Sequence, residues 1–129
     1  MIVVVGLSRS SSRTDVVGAW RVLPKDLRQQ VMHVAAALLL DVNAVLDDSH
    51  MSPGEVRKLA LAVGLVNRPE LVVLDEPTND LDMPSIERLE RVLNAYEGAL
   101  VVVSHDLAFV AALGLDATSL EDLILPSNP

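Results

Sequence analysis

The sequence predicts an α/β fold with a parallel sheet flanked by helices, and three observations carry that expectation. Leu71-Val72-Val73-Leu74 runs without polar alternation, the pattern of a strand buried on both faces of a sheet. Ala99 to Val103 repeats it. Between them lies a helical pattern long enough for the right-handed crossover that joins parallel strands. The first strand ends in Asp75-Glu76-Pro77 and the second in Ser104-His105-Asp106. Open parallel sheets place ligands at the carboxyl ends of their strands, so two carboxylates and an imidazole converge on one candidate site.

At 129 residues, half of them hydrophobic, the chain has apolar material for one domain or part of one. Trp20, Tyr96 and Phe109 are its only aromatics, which argues against base stacking as a route to nucleic acid. The formal charge of −8 is uneven: residues 1–28 carry five Arg/Lys against Asp15 and Asp26, whereas residues 29–129 carry five against sixteen acids. An acidic body of this kind repels phosphate backbones, and no direct nucleic-acid signal is present. The absence of cysteine removes disulfides and thiolate metal sites and fits a reducing compartment, the cytoplasm. The longest apolar run, Val34 to Leu40, is seven residues, far short of the roughly 20 that span a bilayer. The opening residues lack the basic stretch and cleavage site of a secretory signal.

Ile2 to Val5 is β-branched and closed by Gly6, the pattern of a buried strand. It is expected to fill the free edge of strand 99–103, parallel to it, because an unpaired apolar edge invites association. The Ser/Arg stretch that follows shows no hydrophobic period and reads as a linker. A phosphate-loop reading of it fails on register. The pattern G-x-x-x-x-G-K-[ST] begun at Gly6 puts Ser11, Ser12 and Arg13 where the second glycine, the lysine and the hydroxyl belong. Lys25 follows Pro24 and Lys58 lies inside a helical pattern, so neither lysine of the chain serves such a loop.

Pro24 to Leu40 reads as a helix, with Pro near the first turn, Asp26 at the positive end, and Leu27, Val31, Val34, Ala35 and Leu38 at helical spacing. His33 on it reads as a surface or hydrogen-bonded histidine rather than a ligand or a base. Asp41 to His50 reads as a loop, and its Asp47-Asp48-Ser49-His50 end as a solvated turn rather than a metal site. Met51-Ser52-Pro53-Gly54-Glu55 then opens a helix with agreeing signals. Ser52 and Glu55 form a capping box, Pro53 takes the first helical position, and the free N–H groups make an anion-attracting end. Val56, Leu59, Ala60 and Val63 give this helix an apolar face and Arg57 and Lys58 an exposed one, until Asn67-Arg68-Pro69 stops it. After the carboxylates, Asp82 caps a helix with Pro84 in its first turn and Ile86, Leu89, Leu93 and Tyr96 as its buried stripe. Gly98 sits where a left-handed C-terminal cap belongs. A short helix from about Leu107 ends at Gly114, and a strand around Leu120 to Leu125 precedes a Pro-Ser-Asn-Pro tail.

The order of these motifs resembles the second half of an ATP-binding cassette (ABC) ATPase. Met51-Ser52-Pro53-Gly54-Glu55 stands for the signature, Leu71 to Glu76 for the Walker B strand, Thr78-Asn79-Asp80-Leu81-Asp82 for the loop after it, and Ser104-His105-Asp106 for the histidine loop. The signature, that loop and Tyr96-Glu97-Gly98 look most like the ABC-F subfamily, proteins with tandem cassettes that act on ribosomes. The resemblance covers residues 51–113 and implies a partial P-loop NTPase-like sheet. Residues 1–50 remain an unassigned strand and helix region and 114–129 a tail, all in one partial domain.

The resemblance also implies roles by position. Asp75 would hold the water shell of Mg2+, Glu76 would act as general base, and His105 would contact the γ-phosphate; phosphoryl transfer asks for such charges because it rests mostly on positioning and electrostatics. Ser52, the Gly54 backbone and Glu55 would meet the γ-phosphate side of ATP held by a partner cassette, and Asp82 would lie at the contact between cassettes. Pro53 departs from the glycine of the commoner transporter signature and lacks an N–H to offer. The family's phosphate loop, adenine-contacting aromatic and glutamine loop should precede the signature, and nothing before Met51 matches them. The chain therefore reads as a truncated or degenerate cassette that works with a second cassette or a copy of itself and does not turn over ATP alone. A non-catalytic interaction module, an inactive gene remnant and a fragment of a transporter's ATP-binding subunit are the alternatives. Ribosome contact enters only by analogy to ABC-F, and the absence of a basic linker weighs against it.

Overall fold

The computed structural model describes residues 2–5, 12–47 and 50–115. The loop after Gly6, with Arg9, residues Asp48 and Ser49, and the strand expected around Leu120 to Leu125 lie outside the described residues. In chain order the elements are β1 (Ile2–Val5), α1 (Arg13–Arg21), α2 (Lys25–Ala37), α3 (Val42–Leu46), α4 (Pro53–Val66), β2 (Leu71–Asp75), α5 (Met83–Asn94), β3 (Ala99–Val103) and α6 (Leu107–Ala112).

Two helices stand where sequence reasoning expected irregular chain. α1 begins in the Ser/Arg stretch: the Ser12 hydroxyl accepts from the Asp15 N–H at 3.2 Å while the Asp15 carboxylate accepts from the Ser12 N–H at 3.2 Å, a complete capping box. Its Val16 and Val17 are buried. α3 occupies part of the expected loop, started by Asp41, whose carboxylate accepts from the Asn43 N–H at 2.9 Å. α2 closes earlier than Leu40, at Ala37, and Leu39 turns to φ 63° to bring Leu40 back into the core.

α4 is the element about which the rest is packed. Leu61 and Leu65 on one flank join a cluster with Val72 and Leu74 of β2, Ile86, Leu89 and Leu93 of α5, and Phe109 of α6. Leu59, Ala60, Ala62 and Val66 on the other join Val16 and Val17 of α1, Val31 and Ala35 of α2, and Val45 of α3. A helix that is apolar on two sides is an interior helix, so the single face expected from the sequence is too narrow. Arg57, expected on the exposed side, has a side chain only 13% exposed. Lys58 reaches the Leu39 carbonyl at 3.5 Å.

The sheet is parallel throughout, in the order β1-β2-β3, with Leu71 beside Ala99 and Asp75 beside Val103. β1 pairs with β2, Ile2 beside Leu71 and Val5 beside Leu74. This overturns its expected place on the far edge of β3. An apolar run says that a strand is enclosed but not by which neighbour, and the free side of β2 satisfies the same need. β2 and β3 are also not buried on both faces. Val72, Leu74, Leu100 and Val102 pack under the helices. Ala99 lies exposed on the opposite face, with Val101 at 48% and Val103 at 53%.

Gly98 carries no left-handed cap, because α5 ends at Ala95 in ordinary helical geometry. Space explains the glycine: a Cβ there would sit 2.6 Å from the Tyr96 ring and 2.8 Å from the Pro69 carbonyl oxygen. Gly114, at φ 62°, does take the left-handed conformation after α6.

If α4 is the common wall of both clusters, Leu61→Ala should cost about 2–5 kcal/mol in urea unfolding, the range for a fully buried leucine. Val22→Ala, at a position 82% exposed, should change little. Comparable small effects for both would remove α4 from the centre of the packing.

Candidate functional site at the carboxyl end of the sheet

β2 delivers its carboxylates to the carboxyl end of the sheet by continuing its ladder one step past the strand. The Glu76 N–H donates to the Val103 carbonyl at 2.7 Å, and the chain then turns at Glu76 with φ 47°. A non-glycine residue in that region costs of order 1–3 kcal/mol and persists only where its surroundings hold it. Three contacts hold this one. The Asn79 N–H donates to the Glu76 carbonyl at 3.2 Å, Arg57 Nη1 donates to the same carbonyl at 2.9 Å, and the Glu76 carboxylate accepts from the His105 N–H at 3.2 and 3.3 Å. Pro77 is fully buried and Thr78 nearly so, which fixes the turn from below.

The expected meeting of carboxylate and imidazole is present. His105 Nδ1 contacts Glu76 Oε1 directly, while the His105 side chain is 99% exposed and that of Glu76 only 22%. The carboxylate therefore orients the ring, which is the relation of a base and its partner in many proton-transfer sites. Asp75 lies exposed beside Val103 at the same edge. Asp106 is spent on the fold: its carboxylate accepts from the Phe109 N–H at 3.0 Å to start α6.

The start of α4 approaches this turn from the side. The Ser52 hydroxyl accepts from the Glu55 N–H at 3.2 Å and the Glu55 carboxylate accepts from the Ser52 N–H at 3.0 Å, so Glu55 closes the cap. Gly54 packs against the loop after Glu76, where a Cβ would lie 2.5 Å from the Asp80 carbonyl oxygen. One turn on, Arg57 bonds the Glu76 carbonyl and stands 3.7 Å from the Asp80 carboxylate. Gly54 and Arg57 share one helix face at a spacing of three. That spacing was the available sequence signal for Arg57, which sequence reasoning assigned to solvent. Asp82 stands apart, its Oδ1 accepting from the Ser85 N–H at 3.0 Å at the start of α5. The adjacent Ser85, through its nearby hydroxyl and its backbone N–H, holds the Asp82 carboxyl below the usual carboxylate range.

Among the described residues no group of three His, Cys, Asp or Glu side chains could hold a metal ion. Asp75 nonetheless fits magnesium, which commonly takes one or two carboxylates and completes its shell with water and phosphate oxygens. The Asp47 carboxylate and the His50 ring, both exposed, stand 3.9 Å apart before α4.

Two expectations follow. Gly18→Ala in α1 has open space and should stabilise by roughly 0.5–1 kcal/mol, the ordinary helical gain, whereas Gly54→Ala should destabilise because the new Cβ meets a backbone oxygen. Thermal melts of the two variants read opposite signs; the same sign for both would deny the contact. For Asp82, a lowered folded pKa means its stabilisation is present above the unfolded carboxylate range and is lost as pH falls through the folded pKa. The difference in melting temperature between the wild type and Asp82→Ala should hold steady above about pH 5 and shrink below about pH 4. A difference that grows on acidification would sink this assignment.

The chain matches the family model described as ABC transporter over residues 10–79. The ATP-binding protein Uup of Escherichia coli is 40% identical over 117 residues, 91% of this chain and 17% of Uup. The energy-dependent translational throttle protein EttA of Haemophilus influenzae is 43% identical over 86 residues, covering 66% of this chain and 15% of EttA. The ribosome protection protein VmlR of Bacillus subtilis is 42% identical over 79 residues, 61% of this chain and 14% of VmlR. Among solved structures, the dimeric bacterial ABC transporter cassette MJ0796 superposes with a TM-score of 0.62 at 19% identity, over 84% of this chain and 52% of that one. Its post-hydrolysis form bound to ADP and Pi gives 0.66 at 20%, over 86% and 55%. These solved structures show the fold, that of an ABC transporter cassette. The chain spans less than a fifth of the length of these curated relatives. No helix among the described residues is long and apolar enough to cross a membrane. The family match starts at residue 10, so the helices before Met51, which resembled nothing by motif, belong to the same relationship. From the turn geometry to the family match the observations agree: the chain belongs to the ATP-binding cassette (ABC transporter) family, with ABC-F proteins among its relatives.

Proposed function

We propose that this chain is one partial cassette domain that contributes a signature helix and a Walker B carboxylate pair to ATP bound between it and a partner cassette. The observation that supports this reading is the joining of the two motifs. Gly54 lies against Asp80, and Arg57 bonds the Glu76 carbonyl, so the start of α4 and the carboxylate turn form one unit. In that unit Glu76 would take the proton of the attacking water, His105 would contact the γ-phosphate side, and Asp75 would hold Mg2+. Magnesium, when bound, neutralises charge on the phosphates during transfer. The Ser52 hydroxyl and the Gly54 N–H face the partner's nucleotide at a helix N-terminus, where anions are favoured. Glu55 and Asp82 act one step back, shaping the helix starts that present these groups.

The names of EttA and VmlR connect those proteins with translation and the ribosome. For this chain the acidic stretch from residue 29 onward gives phosphate backbones little to bind, so a ribosomal role would run through the partner cassette.

Full-length E. coli Uup mixed with the chain and ATP should form a complex in sedimentation that is absent without nucleotide. Ser52→Ala should weaken it severalfold, with thermal melts separating this loss from the cap's own contribution of about 1 kcal/mol. Equal complex with and without ATP would favour a non-catalytic interaction module. Alone, the chain should show no saturable Mg-ATP binding tighter than roughly 1 mM, about −4 kcal/mol, and Glu76→Gln should leave phosphate release at the buffer level. Calorimetry giving a micromolar constant would overturn the need for a partner.

A further inference from the structure

Among the described residues, three buried side-chain nitrogen or oxygen atoms lack a hydrogen-bond partner, and two of them belong to one place. They are Trp20 Nε1, in the last turn of α1, and Arg28 Nε, in α2. Both residues line a cleft of about 220 Å³, with Lys25, Gln29 and Met32 completing its wall. The four residues of α2 follow at spacings of three and four, so one face of that helix meets the tryptophan. A buried indole N–H ordinarily finds an acceptor, and native structures leave few such groups unmet. The Gln29 amide bonds neither nitrogen. Two orphaned donors in one wall ask for an acceptor from outside the chain.

Charge selects the acceptor. Lys25 and Arg28 bring two positive charges, and no acid lines the cleft. Neither cation has a hydrogen bond or ion pair among the described residues. α2 begins at Lys25 without a side-chain cap, which adds the positive end of a helix. Water would supply an acceptor without charge, whereas an oxyanion supplies both. Arginine presents Nε and one Nη as a planar edge that matches a carboxylate with two parallel bonds. Trp20 and Met32 add apolar wall, and the cleft has room for hydrocarbon beside the anion. We propose that this cleft binds a small organic acid, its carboxylate on Arg28 and Trp20 Nε1 with Lys25 beside it, and its hydrocarbon part against the indole ring and Met32. Both orphaned nitrogens are shut off from water, so the exposed Lys25 and Gln29 side chains turn aside as the acid enters, a rotamer change that takes nanoseconds. The site shares no residue with the carboxylate turn or the start of α4 and does not rest on the ATP reading.

Trp20 is the only tryptophan, so its fluorescence and its single indole N–H resonance report on the cleft without a label. Cyclohexanecarboxylate, which does not absorb with indole, should change that fluorescence saturably, with a dissociation constant below about 1 mM. It should also move the indole N–H resonance downfield as the donor gains its acceptor. Cyclohexanecarboxamide has the shape without the charge, and inorganic phosphate has the charge without the hydrocarbon; each should bind at least about tenfold more weakly. Arg28→Lys keeps the charge but loses the planar edge, and should weaken the acid about tenfold with an unchanged far-ultraviolet spectrum. A fluorescence response that does not saturate, an unmoved indole resonance, equal binding of the amide or of phosphate, or wild-type affinity in Arg28→Lys would each overturn the proposal.

Discussion

Arg57 carries its charge into the seam between α4 and the turn after β2 and delivers it to a backbone carbonyl, with the Asp80 carboxylate at longer range. The choice of acceptor matters. A carboxylate partner could swing away, but a carbonyl at φ 47° has its position set by the chain on both sides, so the bond pins the turn itself. A guanidinium this little exposed must be satisfied, and the backbone of the turn satisfies it. Every other feature of the site, from the Glu76–His105 contact to the approach of Gly54 on Asp80, presupposes that turn.

Much of this was legible in the residues, and the limits have physical causes. The Ser52–Glu55 box, the Asp82 cap, the parallel pairing of β2 and β3 and the convergence of Glu76 with His105 follow from local chemistry or from strand direction. α1 was missed although Ser12 and Asp15 show the same box spacing, because the polar stretch around them hid a short apolar face of Val16 and Val17. The neighbour of β1 and the buried state of Arg57 are tertiary facts. Neither hydrophobic period nor propensity distinguishes one side of a strand from the other, or a solvent-facing arginine from one that reaches a carbonyl nineteen residues on. The two glycines that the fold needs most, Gly54 and Gly98, are needed for room, and room is invisible until the approaching backbone is placed.

Among the described residues the two apolar clusters meet along α4, with one helix flank in each, and at the end of α2, where Leu38 joins the sheet side and Ala35 and Leu40 the other. This couples the helices before Met51 to the sheet that bears the carboxylates. The family match, which runs from residue 10 to residue 79, takes in the helices before Met51, α4 and β2.

The β1–β2 ladder joins Ile2 to Leu71 across the whole helical block. Closing a chain segment of that length costs entropy before any strand contact repays it, whereas the helices and the β2–α5–β3 unit need only nearer partners. β1 is thus a late arrival in the physics of assembly. Until it docks, the β1 side of β2 has no strand beside it.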